Sequence, residues 1–258
     1  MSSILVSQEE HIATITLNRP EKLNALTKDM WGRLGDVIED LSEQRQLRCI
    51  VIKGAGKKAF SPGNDIREFE TERADSQQAE AYGRLMHRVL SGLRACPVPT
   101  LAVIQGICVG GGLEIAACCD IRICGESSRF GIPINRLGLV MAYQEIAALK
   151  ALVGDAVALE ILLEGRVFDA REAKEKKLVN RIVADSEVVS EGEQTAKRIA
   201  DGAPLVARRH KKFLKRLDDP EPLSAEELSE GFACFDSRDF EIGYKAFLAK
   251  EKPQFEGH

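Results

Sequence analysis

Residues 103–120 read Val-Ile-Gln-Gly-Ile-Cys-Val-Gly-Gly-Gly-Leu-Glu-Ile-Ala-Ala-Cys-Cys-Asp, an apolar run that passes through three consecutive glycines into a segment with one early carboxylate, Glu114. With Gly110, Gly111 and Gly112 together, every side chain is gone from a strand-to-helix turn. A ligand can then lie against backbone N–H groups at the positive end of a helix. That arrangement suits negative charge growing on an oxygen atom, with Glu114 near enough in sequence to move a proton beside it. Glu114 alone also fits a carboxylate that only complements the helix dipole. No Lys-Ser/Thr pair follows the glycines, and their spacing is not G-x-G-x-x-G with an acidic partner, so nucleotide-binding loops are excluded.

Two further stretches carry polar groups next to turn residues. Residues 59–68, Ala-Phe-Ser-Pro-Gly-Asn-Asp-Ile-Arg-Glu, place Pro62 and Gly63 before Asn64 and Asp65, a sharp turn into a helix start. Residues 130–133, Phe-Gly-Ile-Pro, open an irregular apolar stretch. The four histidines, His11, His87, His210 and His258, are dispersed with no metal-ligand spacing and are set aside as structural or solvated. Seven cysteines form no C-x-x-C pair and read as buried, reduced thiols.

The elements that must position these residues follow from periodicity. Residues 4–6 and 12–17 read as two strands around a polar turn, the second alternating apolar and hydroxylated side chains. Thr27 caps a helix with Met30, Leu34, Val37, Ile38 and Leu41 on one face. Residues 49–53 form a buried strand, 76–95 a helix with Tyr82, Leu85, Met86, Val89 and Leu93 inward, and 100–105 the strand that delivers the glycines. Residues 120–124 form another strand. A helix is expected over 144–152 with its stop at Gly154, a capped helix from Asp169 through a box with Glu172, and a last strand over 178–183. Beyond Val188 the pattern is helical, with a second capping box at Ser224 and Glu227. A strand-strand-helix unit thus recurs loosely, which predicts an α/β core with a helical C-terminal appendage.

At 258 residues, with 44% hydrophobic and 29% charged residues and a net charge of −4, the chain has the composition of a soluble globular protein. Its Lys and Arg residues are scattered, which argues against nucleic acid as a partner. No basic leader or apolar run of membrane-spanning length is present, so a cytoplasmic location and no membrane association are expected.

Together, residues 59–68, 105–120 and 130–133 resemble the crotonase (enoyl-CoA hydratase/isomerase) superfamily, and the resemblance extends from the N-terminal hairpin to Phe255. It implies a spiral core of ββα turns that binds a CoA thioester (residues 1–200) and a C-terminal helical region (residues 201–258) used in trimer packing, as a homotrimer or a dimer of trimers. It implies an acyl-CoA thioester as substrate, CoA being part of that substrate, with no separate cofactor and no metal. The family aims two backbone N–H groups at the thioester oxygen, and the matching residues are Asn64 and Gly111. The resemblance also places the adenine end of CoA near Lys22, Ala25, Asp65 and Ile66, with tail residues Phe247, Lys250 and Lys252 closing over it, sometimes from a neighbouring subunit.

Hydratases of this family use two glutamates. The first matches Glu114; the second should follow the proline of the Phe-Gly-x-Pro element, where this chain has Ile134. Hydration needs one group to take a proton from water and another to deliver one to carbon, so the isoleucine puts simple hydration in doubt. Tyr143, Gln144 and Glu145 are the polar groups nearby, with Glu145 read as a first-turn helix carboxylate rather than a substitute acid. The Pro133-Ile134-Asn135 run followed by a tyrosine, and the tail, resemble the methylmalonyl-CoA decarboxylases. Loss of CO2 makes an enolate without a base, an apolar wall at Ile134 disfavours a substrate carboxylate, and Tyr143 would orient that carboxylate. The sequence reading therefore sets an acyl-CoA lyase or isomerase first, with decarboxylation of a 2-carboxyacyl-CoA ahead of double-bond isomerisation and then hydration. A scaffold that binds CoA thioesters without turnover is the rival.

Overall fold

The alternating pattern of residues 12–17 becomes a strand whose Ala13, Ile15 and Leu17 are fully buried. In the computed structural model, which describes residues 2–258, this strand (β2, Ile12–Leu17) pairs antiparallel with β1 (Ile4–Glu9) and parallel with β3 (Cys49–Gly54). Between them, α1 (Lys28–Ser42) is capped by the Thr27 hydroxyl, which accepts from the Met30 N–H, and buries Met30, Trp31, Leu34, Ile38 and Leu41. The chain then repeats one unit. A long strand joins a larger sheet, a short strand joins a smaller one, and a helix follows.

In the first repeat β3 leads to β4 (Ala59–Ser61), a short helix α2 (Phe69–Glu72) and α3 (Ser76–Ala95). In the second, β5 (Thr100–Ile104) leads to β6 (Ile107–Val109) and α4 (Gly111–Cys118). In the third, β7 (Ile121–Gly125) leads to β8 (Arg129–Gly131) and α5 (Tyr143–Glu164). The chain continues with β9 (Phe168–Asp169), α6 (Ala170–Glu175), β10 (Arg181–Val183), α7 (Val188–Ala200), α8 (Pro204–Arg216), α9 (Ala225–Glu230) and α10 (Arg238–Ala249). The six-stranded sheet has the order β1-β2-β3-β5-β7-β10 and the four-stranded sheet β4-β6-β8-β9. Parallel pairing of β3, β5 and β7, all densely buried, is what a right-handed crossover between successive strands produces. The ββα spiral inferred from the resemblance is the fold.

Several local expectations change. Residues 59–61, expected in a loop, pair with β6 as β4. Gly154 does break α5, with φ +77° and ψ 170°, but the helix resumes and ends at Glu164 under Gly165. The last strand starts at Arg181, because Leu178 and Val179 are spent packing into the core. Asp169 caps α6, yet Glu172 does not complete a box; its carboxylate turns to Arg166 and Lys176. Ser224 and Glu227 do form the reciprocal box. The C-terminal helices are anchored by α8, where Arg208 donates to the Gln44, Arg45 and Leu47 carbonyls and Lys211 pairs with Asp120. Among the described residues no helix is long and apolar enough to cross a membrane.

One buried cation holds the glycine-bearing helix in place. Arg122, 3% exposed, donates to the carbonyls of Ala116 and Cys119 at the end of α4 and to those of Leu178 and Asp120, and to the Asn180 side chain. Orphan carbonyls at a helix C-terminus need such partners. Arg122→Ala takes the guanidinium donors away from these acceptors, several of them buried, and urea denaturation is expected to show a loss of about 3–5 kcal/mol. A loss below about 1 kcal/mol would mean the carbonyls find other partners.

Candidate active site

The three glycines sit where β6 turns into α4. Gly110 is the N-cap, so the Gly111 N–H is the first of the helix and has no intrahelical acceptor. At Gly112 a Cβ would stand 2.3 Å from the Ser61 carbonyl oxygen, so the end of β4 can approach only a glycine. Gly63, with φ +99°, lies against the same turn; a Cβ there would stand 3.0 Å from the Gly111 nitrogen. The two loops read separately in the sequence are thus pressed together backbone to backbone.

Asn64 follows directly. It forms a parallel bridge with Leu26, in which the Leu26 N–H donates to the Gly63 carbonyl and the Asp65 N–H to the Leu26 carbonyl, both at 2.8 Å. In such a bridge the middle residue's N–H points away from the partner strand, which frees the Asn64 amide for the Gly111 side. Its side chain is locked as well: Oδ1 accepts from Trp31 Nε1 at 2.7 Å, and Nδ2 lies 3.7 Å from Met86 Sδ. Trp31 was missed in the sequence. It is the chain's single tryptophan, but nothing in its spacing points from residue 31 to residue 64.

The Leu26–Asn64 bridge also joins the two segments assigned to the adenine end of CoA. Asn24, fully buried, pins its loop by donating to the Ala55 and Ala59 carbonyls. Arg19 donates to the Ala25 carbonyl and pairs with Asp65 at 3.2 Å. The Arg67 guanidinium beside Asp65, with Arg19 on its other side, holds that carboxyl well below the usual carboxylate range. Asp65 is therefore a structural anion here. Lys22 and Ile66 are exposed, Ile66 at 54%, and Ala25 is half-buried. Phe247 and Lys250 are not brought to these residues within the chain. Phe247 is 83% exposed, and the tail beyond Lys250 is tied instead to Arg48, through the Phe255 carbonyl, and to Asp201, through Lys252.

Glu114 lies in the first turn of α4, 6% exposed, and its Oε2 is buried with no hydrogen-bond partner. Burial pushes its pKa up to about 8, the negative charge of Glu145 adds to the rise, and Arg73 opposes it. The carboxyl is thus held largely protonated near neutral pH, the form that can give a proton away. Glu145 in the first turn of α5 is the helix carboxylate expected, since its Oε2 accepts from the Ala142 N–H at 2.8 Å. It is also more. Its Oε1 lies 3.0 Å from His87 Nε2, its side chain is 11% exposed, and its charge reaches Glu114.

Two assignments are corrected. His87, set aside as structural or solvated, partners the second carboxylate of the site; helical position 87 falls on the α3 side that meets α5, which no single-helix pattern reveals. Tyr143, assigned on the resemblance to orient a substrate carboxylate, is 91% exposed at the start of α5 and makes no side-chain hydrogen bond among the described residues. Ile134 is half-buried against the core, as an apolar wall should be. Arg73, between α2 and α3, stacks over the rings of Phe69 and Tyr82 at 4.7 and 4.9 Å and went unnoticed in the sequence.

Comparison with known proteins gives these positions a family context. A profile of the enoyl-CoA hydratase/isomerase family matches residues 7–258. The short-chain-enoyl-CoA hydratase of Clostridium acetobutylicum is 31% identical over 256 residues, covering 98% of this chain and 97% of its own. The crotonyl-CoA hydratase of Syntrophomonas wolfei is 32% identical over 256 residues, with 98% and 97% covered. A crystal structure of an enoyl-CoA hydratase/carnithine racemase from Magnetospirillum magneticum superposes with a TM-score of 0.97 at 51% identity, covering 100% of this chain and 97% of the other.

The raised pKa of Glu114 has a consequence for stability. Below its ordinary value of 4.5 the carboxyl is neutral folded or unfolded; between 4.5 and about 8 only the unfolded chain ionises freely, so stability falls as pH rises through that window. Glu114→Gln removes this term. Thermal melts should show the variant gaining on the wild type from pH 5 to pH 8, by on the order of 2–4 kcal/mol, with the pH-dependent part of the difference gone near pH 4.5. A pH-independent difference would show that Glu114 is not held neutral.

Proposed function

The chain belongs to the enoyl-CoA hydratase/isomerase family, and from that membership we propose that it binds a 2-enoyl-CoA with the thioester oxygen on the Asn64 and Gly111 amides and adds water across the double bond. The observation that carries this reading is a pair of carboxyls in unequal surroundings: Glu114 kept neutral by burial, and Glu145, whose charge reaches it, hydrogen-bonded to His87. The relatives' names as hydratases support the same reaction.

Water attacks the β-carbon and gives one proton to the Glu145–His87 pair. The double-bond electrons move onto the thioester oxygen as an enolate, which the two amides stabilise more than the neutral thioester, one such donor being typically worth about 3 kcal/mol. Glu114 then delivers its proton to the α-carbon as the carbonyl re-forms. A proton passes back from Glu145 to Glu114 before the next turnover. The neutral state of Glu114 matters here, since an ionised carboxylate would repel the enolate and have no proton to give.

Decarboxylation of a 2-carboxyacyl-CoA is the second reading, favoured by Ile134 in place of a glutamate. There the bond to CO2 breaks, its electron pair becomes the enolate, and Glu114 protonates the same carbon. Its premise of a single carboxylate is weakened by Glu145. Double-bond isomerisation would use Glu114 as a shuttle between two carbons. In each case CoA belongs to the substrate, and the reading needs no separate cofactor and no metal. Lys22, Ala25, Asp65 and Ile66 are proposed to carry the adenine end, Asp65 by its backbone. Phe247 and Lys250 are proposed to act from a neighbouring subunit of a homotrimer or dimer of trimers, with residues 201–258 as the packing region. The exposed Phe232, Phe235, Phe247 and Leu248 support that assembly.

Purified protein incubated with 2-enoyl-, 3-enoyl-, malonyl- and methylmalonyl-CoA and followed by mass is expected to add 18 mass units to the 2-enoyl thioesters. Loss of 44 units from the carboxylated ones instead would establish the second reading, and an unchanged panel would leave a binding scaffold. Glu114→Gln and Glu145→Gln should each lower kcat by about 100-fold or more. Turnover should fall as pH rises through about 8, where Glu114 loses its proton.

A further inference from the structure

Arg73 is placed as a ligand-binding cation with no ligand of its own in the chain. Its guanidinium lies over Phe69 at 4.7 Å and over Tyr82 at 4.9 Å. Its Nε is buried without a hydrogen-bond partner, although twenty or so other cations on this protein have found carboxylates or carbonyls. Glu68, which bonds the same Tyr82, is already engaged, its Oε2 accepting from the Lys28 N–H at 2.8 Å and the Tyr82 hydroxyl at 3.1 Å. A guanidinium that contacts aromatic rings through its face can still grip a carboxylate through two parallel N–H donors at its edge.

Its position relative to the reacting atoms is fixed by α3. Tyr82, against Arg73, and Met86, whose Sδ lies 3.7 Å from Asn64 Nδ2, are four residues apart on one face of α3, so the cation and the Asn64 loop border the same stretch of that helix. It is close enough to Glu114 for its charge to act there. An acyl chain seated with its thioester oxygen on the amides would carry its far end toward Arg73. A chain ending in a methyl group would leave the cation unpaired, whereas one ending in a carboxylate would satisfy it.

We propose that Arg73 binds a carboxylate on the acyl group, so that the preferred substrates are CoA thioesters of dicarboxylic acids. The proposal rests on the acyl-CoA reading above and narrows it to one substrate class. Phe69 and Tyr82 give the guanidinium its aromatic contacts, and Tyr82 in turn is oriented by its hydrogen bond to Glu68.

Binding of saturated thioesters, which cannot be hydrated, separates this inference from the reaction. Affinities of the wild-type protein for malonyl-, glutaryl- and adipyl-CoA are measured by calorimetry against propionyl-, pentanoyl- and hexanoyl-CoA of the same carbon counts. The expected result is a preference of about tenfold or more for the carboxylated member at one chain length or more. Arg73→Gln should abolish the preference while binding of pentanoyl-CoA stays within about twofold, and Arg73→Lys should restore part of it. Equal binding of both series by the wild type overturns the role of Arg73 and leaves the acyl-CoA reading standing. A preference that survives Arg73→Gln also overturns it. Failure of both series to bind would overturn the acyl-CoA reading and this inference together.

Discussion

Backbone contact between two loops is the constraint on which the rest of the molecule depends. The end of β4 and the turn before α4 must meet with no side chain between them, and the Ser61 carbonyl 2.3 Å from where a Cβ on Gly112 would sit shows how little room there is. Parallel pairing of β4 with β6 brings the loops level, and the larger sheet behind holds that register through β3 and β5. The Leu26 bridge turns the Asn64 amide outward, and Trp31 fixes the side chain so that the residue cannot rotate. Both amides of the proposed hole thus sit on rigid elements, and donors held that way need no reorganisation when charge develops beside them.

Electrostatics at the site follow from the same compression. A carboxyl sealed into an apolar layer resists ionisation, and Glu114 is sealed by the glycine turn on one side and by α3 and α5 on the others. Glu145 sits differently: its carboxylate accepts a hydrogen bond from the Ala142 amide and faces His87. The two carboxyls therefore stand in unequal surroundings, one with a buried oxygen that has no hydrogen-bond partner and one with a partner at each oxygen. Arg73 opposes Glu145 in this field, and its charge moderates the rise at Glu114 rather than cancelling it.

What was legible in the sequence was local or carried by contiguous motifs. Thr27 as a cap, the buried stripe from Tyr82 to Leu93, and the glycine turn with Glu114 one turn beyond it all depend on spacing within one element. Asn64 was readable only through the match of residues 59–68 to the family's motif; the Pro62-Gly63 pair by itself marked a turn. The contacts that complete the site lie 33 residues apart for Trp31 and Asn64 and 58 apart for His87 and Glu145. Long-range pairs leave no periodic trace in a single chain. Tyr143 came from the order of residues in a resembling family, and such an order says nothing about which way a side chain faces: at the start of α5 it is 91% exposed.

Ile134 shows why an absent residue is weak evidence about a reaction. A proton-handling group must reach a point in space, and several elements border that point. Residue 134 follows the short β8 strand, while Glu145 arrives from α5, whose first turn is packed toward α3 and α4. Glu145 brings partners with it: its Oε2 accepts from the Ala142 N–H and its Oε1 lies 3.0 Å from His87 Nε2, while Ile134 packs half-buried against the core and offers no proton-handling group. A carboxylate absent at one position can therefore be supplied from another element, and the side chain at 134 alone does not decide which reaction the site can carry.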